Sequence, residues 1–203
     1  GRDLVFSTGM ANLGEVRNAL SVLAFGFVGN SEPSTKAFEA SIKSEIGRKA
    51  LKDKVVLLHC TTQYPAPIES VNLKAMTTMR NEFEVEVGYS DHTTGYLVSC
   101  AAVSLGARVI EKHLTIDKSL PGPDHAASVE PDEFARMIES IREIETALGS
   151  GEKVPHHLEL ENRSVARKSI VAGKKIQNGE KFSEENILIK RPGTGLSPME
   201  YWD

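Results

Sequence analysis

Residues 85–115 constrain the fold of this chain more than any other stretch. They read VEVGYSDHTT, then the small-residue run GYLVSCAAVSLGA, then RVIEKHLT. Two short β-branched runs flank a helical segment, and each run carries polar, ionisable groups: Ser90, Asp91 and His92 after the first, Glu111, His113 and Thr115 in the second. A strand–helix–strand unit of this length requires parallel strands joined by a crossover helix. Alternate residues of a strand face one side, so Glu111, His113 and Thr115 are expected on one face, with Ile110, Lys112 and Leu114 on the other. Parallel strands bring their C-terminal ends to a common rim, where His92 and His113 could share one divalent metal.

The same pattern recurs upstream. Leu4-Val5-Phe6 runs into Ser7-Thr8-Gly9-Met10, and Asn12 followed by Glu15 has the form of a capping box opening a helix through VRNALSVLA. Helix N–H groups beside Ser7 and Thr8 would make an anion site. Residues 26–54 read as an elaborated crossover helix with a surface excursion, carrying no chemistry of its own. The run KVVLL then ends in HCTTQYP, and SVNLKAMTTMRNEF supplies the next helix. His59 is expected to be an interior histidine bonded to backbone. Tyr64 is either a rim hydroxyl facing a ligand or a lid over the core. The turn-rich loop DKSLPGPDH follows residue 116, and 131–148 is an amphipathic helix opened by Pro131 and ended by Gly149.

Composition excludes several classes. With 203 residues and a net charge of -4, both signs mixed, the chain has no dedicated nucleic-acid or membrane-surface character. Cys60 and Cys100 lie in apolar runs without metal-ligand spacing and read as buried thiols of a reducing cytoplasm. No apolar run is long enough to span a bilayer. Residues 163–203 carry 8 Lys and Arg against 5 Asp and Glu, a surplus of three positives that leaves the first 162 residues seven negative. Residues 1–148 therefore read as one domain, 149–162 as a polar linker, and 163–203 as a small, basic, incomplete β-rich module.

Four successive strand–helix units, each strand ending in polar groups, point to an open doubly wound sheet or a (β/α)8 barrel. No Gly-rich dinucleotide fingerprint follows any strand, which counts against the former. A barrel needs eight units and about 250 residues. The four units here would be its second half.

The segments STGMANLGE, LLHCTTQYPAP, VGYSDHT, VIEKHLT, DKSLPGPDHAASVEPDEF and KRPGTG, in this order, resemble the bacterial sialic acid synthase family, the phosphoenolpyruvate-dependent N-acetylneuraminate synthases. The likeness runs from Leu4 to the last residue. It implies the second half (strands five to eight) of a TIM barrel followed by most of an antifreeze-like (SAF) domain. By resemblance, His92 and His113 bind manganese or magnesium, and Ser7 and Ser90 hold the phosphate of phosphoenolpyruvate. Tyr64 and Asp124 contact the acylamino sugar, as does Glu111, which is also placed to relay a proton. Arg191 reaches the N-acetyl group from the neighbouring subunit of a domain-swapped homodimer. Thr62 stands where some members have Asn and is carried over as a phosphate-side contact. The implied reaction condenses phosphoenolpyruvate with N-acetylmannosamine and water, giving N-acetylneuraminate and phosphate. The alternative is a legionaminic or pseudaminic acid synthase acting on a 6-deoxy diacetamido sugar.

Two other classes remain in view. The chain could be a non-catalytic, sugar-binding half-barrel, with exposed strand edges favouring self-association. An aldolase would need a Schiff-base lysine at a strand tip, and the only lysine there, Lys112, faces away from Glu111 and His113. The family's first four strands hold further catalytic groups, so the 203 residues alone are expected to be inactive.

Overall fold

The computed structural model describes residues 2–29, 31–122 and 124–202, which divide into two compact units, Gly1–Gly149 and Ser150–Asp203. The first unit is a four-stranded parallel sheet of β1 (Leu4–Ser7), β2 (Val55–Cys60), β3 (Glu86–Asp91) and β4 (Ile110–Lys112), in the spatial order β1-β2-β3-β4. Sequence order equals spatial order, as in one continuous arc of a barrel wall.

The crossovers are helical. Helix α1 (Leu13–Val28) is opened by the expected capping box: Asn12 Oδ1 accepts from Glu15 N at 3.0 Å, and Glu15 Oε2 from Asn12 N at 2.8 Å. That carboxylate already sits at the helix start, and the Thr8 hydroxyl donates to Leu58 O at 3.0 Å. The anion site expected there is therefore largely occupied by the chain's own groups.

The stretch 26–54 contains two helices after α1, α2 (Thr35–Lys43) and α3 (Glu45–Lys54), broken at Ser44. Ser44 has extended backbone, and its Oγ accepts from Gly47 N at 3.0 Å, capping α3. A Cβ on Gly47 would lie 1.9 Å from Ser41 O, so the tight corner demands glycine. The remaining helices of this unit are α4 (Lys74–Phe83), α5 (Leu97–Ser104) and α6 (Pro131–Leu148). Helix α4 begins four residues later than its apolar pattern predicts, because residues 68–70 form a separate 3-10 turn and Asn72 adopts a left-handed φ of 48°.

The core lies between the sheet's outer face and these helices. Leu57, Val87 and Tyr89 on the strands pack with Leu20, Met76 and Ala102 on the helices, all with no exposed surface. Burying each large apolar side chain contributes about 1.5–3 kcal/mol. Register fixes the alternation: Leu58 pairs with Gly88, His59 with Tyr89, Cys60 with Ser90, and Ser90 in turn with Glu111. Leu58, Cys60, Gly88, Ser90 and Glu111 therefore share the inner face, and His59, Tyr89 and Ile110 the outer. A Cβ on Gly88 would sit 2.3 Å from Val109 O and 2.7 Å from Leu58 Cδ2, so only glycine lets β3 and its neighbours close up here.

Strand β4 is shorter than RVIEKHLT predicts. It ends at Lys112, and the chain continues through a single parallel bridge, Leu114 to Val129. Thr115 is buried, with Oγ1 2.7 Å from His125 Nδ1. Asp91, grouped by sequence with Ser90 and His92, turns to the outer face and is fully buried. Asp91 follows the period-2 alternation of β3, which sets it opposite to Ser90.

The second unit holds α7 (His157–Leu160), α8 (Arg163–Ala166) and an antiparallel pair, β5 (Ser169–Ala172) and β6 (Ile187–Lys190). The linker expected over 149–162 is not plain coil. His156 and Glu159 form a capping box that starts α7, and the division between units falls at 149/150. No helix among the described residues is long and apolar enough to cross a membrane.

Candidate active site at the strand tips

The inner face of β3 and β4 converges on a polar cluster. Ser90 Oγ donates to Glu111 Oε1 at 2.6 Å, across the register pair that aligns their backbones. His92 follows β3 on the same side, its Nε2 3.3 Å from Ser90 Oγ. The His92 and His113 rings lie 5.4 Å apart edge to face, and Tyr64 packs against both, at 4.3 Å and 5.5 Å. Tyr64 is 42% exposed, so it is a rim residue and not a lid over the core. Asp124 reaches the cluster from the loop after β4, with Oδ2 4.0 Å from His113 Nδ1, close enough for attraction but too long for a hydrogen bond.

Hydrogen-bond geometry assigns the tautomer of the neutral His92 ring. Its Nδ1 lies 2.7 Å from Thr61 O, and a carbonyl only accepts, so Nδ1 carries the proton. The single Ser90 proton goes to the nearer acceptor, Glu111. In the neutral ring, Nε2 is left with a lone pair and no donor. A backbone carbonyl fixing one nitrogen while the other stays free is the arrangement that orients a metal-binding imidazole. His113 has the same sense, with Asp124 on its Nδ1 side. The donor set fits a divalent ion that keeps most of its coordination for water and substrate oxygens. Among the described residues no group of three or more His, Cys, Asp and Glu is placed to hold a metal.

The residues expected on the phosphate side, Ser7, Thr62 and Ser90, spread along the sheet. Ser7 is exposed at the end of β1, two strands from Ser90 and paired with Leu58. A strand spacing of about 4.8 Å and a rise of about 3.3 Å per residue put the Ser7 and Ser90 Cα atoms roughly 12 Å apart. Thr62 is exposed beside the β1 tip, its Oγ1 3.3 Å from where a Gly9 Cβ would be. Cys60 Sγ, at the floor between them, accepts from Gly9 N at 3.1 Å. Burial pushes the Cys60 thiol above its usual range, against the opposing pull of the Gly9 N–H, and so keeps it neutral.

His59 stands apart, as expected. It lies on the outer face, with Nε2 2.7 Å from Val71 O and its ring 6.0 Å from Tyr89. Arg191 belongs to the second unit, where it is exposed and donates from Nε to Ala166 O at 2.7 Å. The residues that sequence reasoning passed over are Asp91 and Lys112. Both side chains are fully buried, 3.4 Å apart, directly behind the cluster. Extending strand parity through both tips would have paired them.

With that geometry in place, likeness to known proteins becomes specific. A model of the NeuB family matches residues 1–153. The N,N'-diacetyllegionaminic acid synthase of Legionella pneumophila is 48% identical over 97% of this chain and 50% of its own length. The enzyme of the same name from Campylobacter jejuni is 46% identical over 98% of this chain and 53% of its own length. The chain thus spans about half the length of the curated relatives it matches. Among solved structures, the spore coat polysaccharide biosynthesis protein SpsE of Bacillus subtilis superposes with a TM-score of 0.55 at 34% identity, covering 99% of this chain and 55% of that one. The chain belongs to the NeuB family.

Proposed function

We propose that the full-length protein condenses phosphoenolpyruvate with a 6-deoxy diacetamido hexose, releasing phosphate and forming a nonulosonic acid of the legionaminic type. The observation that carries this is the Ser90–Glu111–His92–His113 cluster at the strand tips, in a chain of the NeuB family. N-acetylmannosamine, the substrate first expected from the motifs, gives way to the diacetamido sugar. The reason is that both relatives quoted, matching nearly the whole chain, are named for N,N'-diacetyllegionaminic acid.

In this reading the four strand tips are the second half of a barrel's active rim. A divalent ion, manganese or magnesium, held by His92 and His113, would supply Lewis-acid polarisation of the sugar aldehyde. Ser7 and Thr62 donate to the phosphate, and Ser90 joins them when its hydroxyl proton turns from Glu111 to a phosphate oxygen. Tyr64 walls the sugar side and shields both imidazoles from bulk water. Asp124 and the free oxygen of Glu111 accept hydrogen bonds from the sugar hydroxyls. The methylene carbon of phosphoenolpyruvate attacks the aldehyde, forming the new C–C bond. Water adds to the resulting cationic C2, and the C–O bond to phosphate breaks. In this reading Glu111 takes the water's proton as general base. Arg191 approaches the acylamino group from a partner subunit of a homodimer, and the second unit corresponds to a SAF domain.

The test offers the full-length protein phosphoenolpyruvate together with N-acetylmannosamine and its 6-deoxy diacetamido analogue, and identifies products by mass spectrometry. Product from the diacetamido sugar supports the proposal. Product from N-acetylmannosamine alone overturns the substrate assignment, and no consumption of phosphoenolpyruvate overturns the reaction class.

A further inference from the structure

Directly behind the polar cluster, on the opposite face of the same two strands, lies a closed ionic network. Asp91 has no exposed surface, and neither its side chain nor that of Lys112 reaches solvent. Asp91 Oδ1 accepts from Thr93 N at 2.9 Å and Thr93 Oγ1 at 2.7 Å, while Oδ2 accepts from Ser99 Oγ at 2.6 Å. Lys112 Nζ lies 3.4 Å from Oδ2 and also donates to the Thr93 carbonyl. One carboxylate and one ammonium thus join four pieces of chain: the β3 tip, the turn after it, the start of α5, and β4.

Strand parity gives the network its meaning. Asp91 pairs in register with Lys112, as Ser90 does with Glu111. Each outer residue is the chain neighbour of inner ones: Asp91 of Ser90 and His92, Lys112 of Glu111 and His113. Any slip or splay between the two strand tips that separates the imidazoles must also break the ion pair behind them. Hydrophobic packing could hold the strands together, but it would not hold the turn at 92–94, because the Thr93 carbonyl needs a donor from β4. A buried pair is a poor source of stability relative to apolar packing, and its best-attested use is to fix one arrangement against others.

We propose that Asp91 and Lys112 are positioning residues of the active site, setting the spacing and facing of His92 against His113 and Glu111. The inference rests on the proposed synthase function only for its activity readout; the geometric claim stands on the strands themselves.

The experiment uses the full-length protein with the double substitution Asp91→Asn/Lys112→Met. This pair removes both charges together, so no lone buried charge is left to unfold the protein, and Asn retains a carbonyl for Thr93. The single Lys112→Met variant is the destabilised comparison. Three quantities are read: thermal midpoint, Mn2+ affinity by electron paramagnetic resonance titration, and kcat and KM for phosphoenolpyruvate. The expected result is a double variant that melts within a few degrees of the parent. Its Mn2+ Kd is weakened at least tenfold and its kcat lowered at least tenfold, with KM for phosphoenolpyruvate changed less than threefold. A double variant with parental Kd and kcat overturns the proposal. So does a loss of activity that merely tracks the fraction unfolded. If the parent itself neither binds Mn2+ nor turns over phosphoenolpyruvate, the function proposed above has failed, and the ring 15N resonances of His92 and His113 decide this one. A shift of both between parent and double variant supports positioning, and superimposable spectra overturn it.

Discussion

Gly88→Ala is the smallest change that should damage fold and chemistry together. The new Cβ would stand 2.3 Å from Val109 O, where ordinary contact begins near 3.4 Å, so β3 must part from the chain leading into β4 by about 1 Å. Leu58 Cδ2, at 2.7 Å, blocks the other direction. Overpacking of this kind costs about 1–3 kcal/mol. The Tyr89 N to Val109 O hydrogen bond, now 2.9 Å, would stretch beyond range, adding about 1 kcal/mol. The expected destabilisation is therefore about 2–4 kcal/mol. The same displacement carries Ser90 Oγ from 2.6 Å to roughly 3.6 Å from Glu111, which is no longer a hydrogen bond. A misplacement of about 1 Å at reacting groups can cost about 100-fold in rate. Guanidinium denaturation followed by circular dichroism, with phosphoenolpyruvate turnover per folded molecule of the full-length protein, measures both. Gly26→Ala is the control: a Cβ there meets nothing within 4 Å, and a helix-interior alanine should stabilise by up to about 1 kcal/mol. A Gly88→Ala protein within 0.5 kcal/mol of its parent (about the scatter of a neutral surface change), or one destabilised yet fully active, would refute the reasoning.

Three further outcomes are expected. His92→Ala and His113→Ala in the full-length protein should each abolish saturable Mn2+ binding in a calorimetric titration, while His59→Gln, on the outer face and bonded to Val71 O, should retain it; unchanged affinity in either alanine variant contradicts the ligand assignment. Refolding inactive Arg191→Ala together with inactive His113→Ala should restore activity, because a mixed dimer regains one intact site if the arginine acts across subunits, and no recovery rules out that arrangement. The Cys60 thiol, pushed up by burial from its usual 9.0, binds its proton more tightly folded than unfolded. Its contribution to stability is therefore fully present below pH 9 and is lost as pH rises through the raised folded value. Comparing parent with Cys60→Ala, the parent's relative stability should fall only on the alkaline side, and a pH-independent difference would contradict the burial argument.

Much of this was readable in the residues. The four strand–helix units, the capping box at Asn12 and Glu15, and the apolar stripe of α6 depend on local spacing, and local spacing survives folding. The same holds for the inward facing of Ser90, His92, Glu111 and His113, since parity along a strand is geometric. What failed was legibility at strand ends. Thr115 shares parity with His113 but is captured by His125 from a loop ten residues away, a contact that no periodicity encodes. Asp91 looks like one more polar residue at a tip, and it is parity carried through to Lys112, with the Ser99 hydroxyl, that buries it. The corner at Ser44, between α2 and α3, is set by the close approach of Gly47 to Ser41 O, a packing fact invisible in an amphipathic run of charges. The proposed substrate was hardest to read, because carboxylates such as Asp124 and Glu111 carry no record of which acyl groups a sugar bears.

The central claim is that this site joins phosphoenolpyruvate to a sugar by breaking the C–O bond of the enol ester. Phosphoenolpyruvate labelled with 18O at its bridging oxygen tests it directly in the full-length enzyme, with the diacetamido sugar as co-substrate. The account predicts that every phosphate released carries the label, and that release depends on the sugar. Label retained in the organic product, or phosphate released equally without sugar, would mean that the P–O bond breaks and that no such condensation takes place.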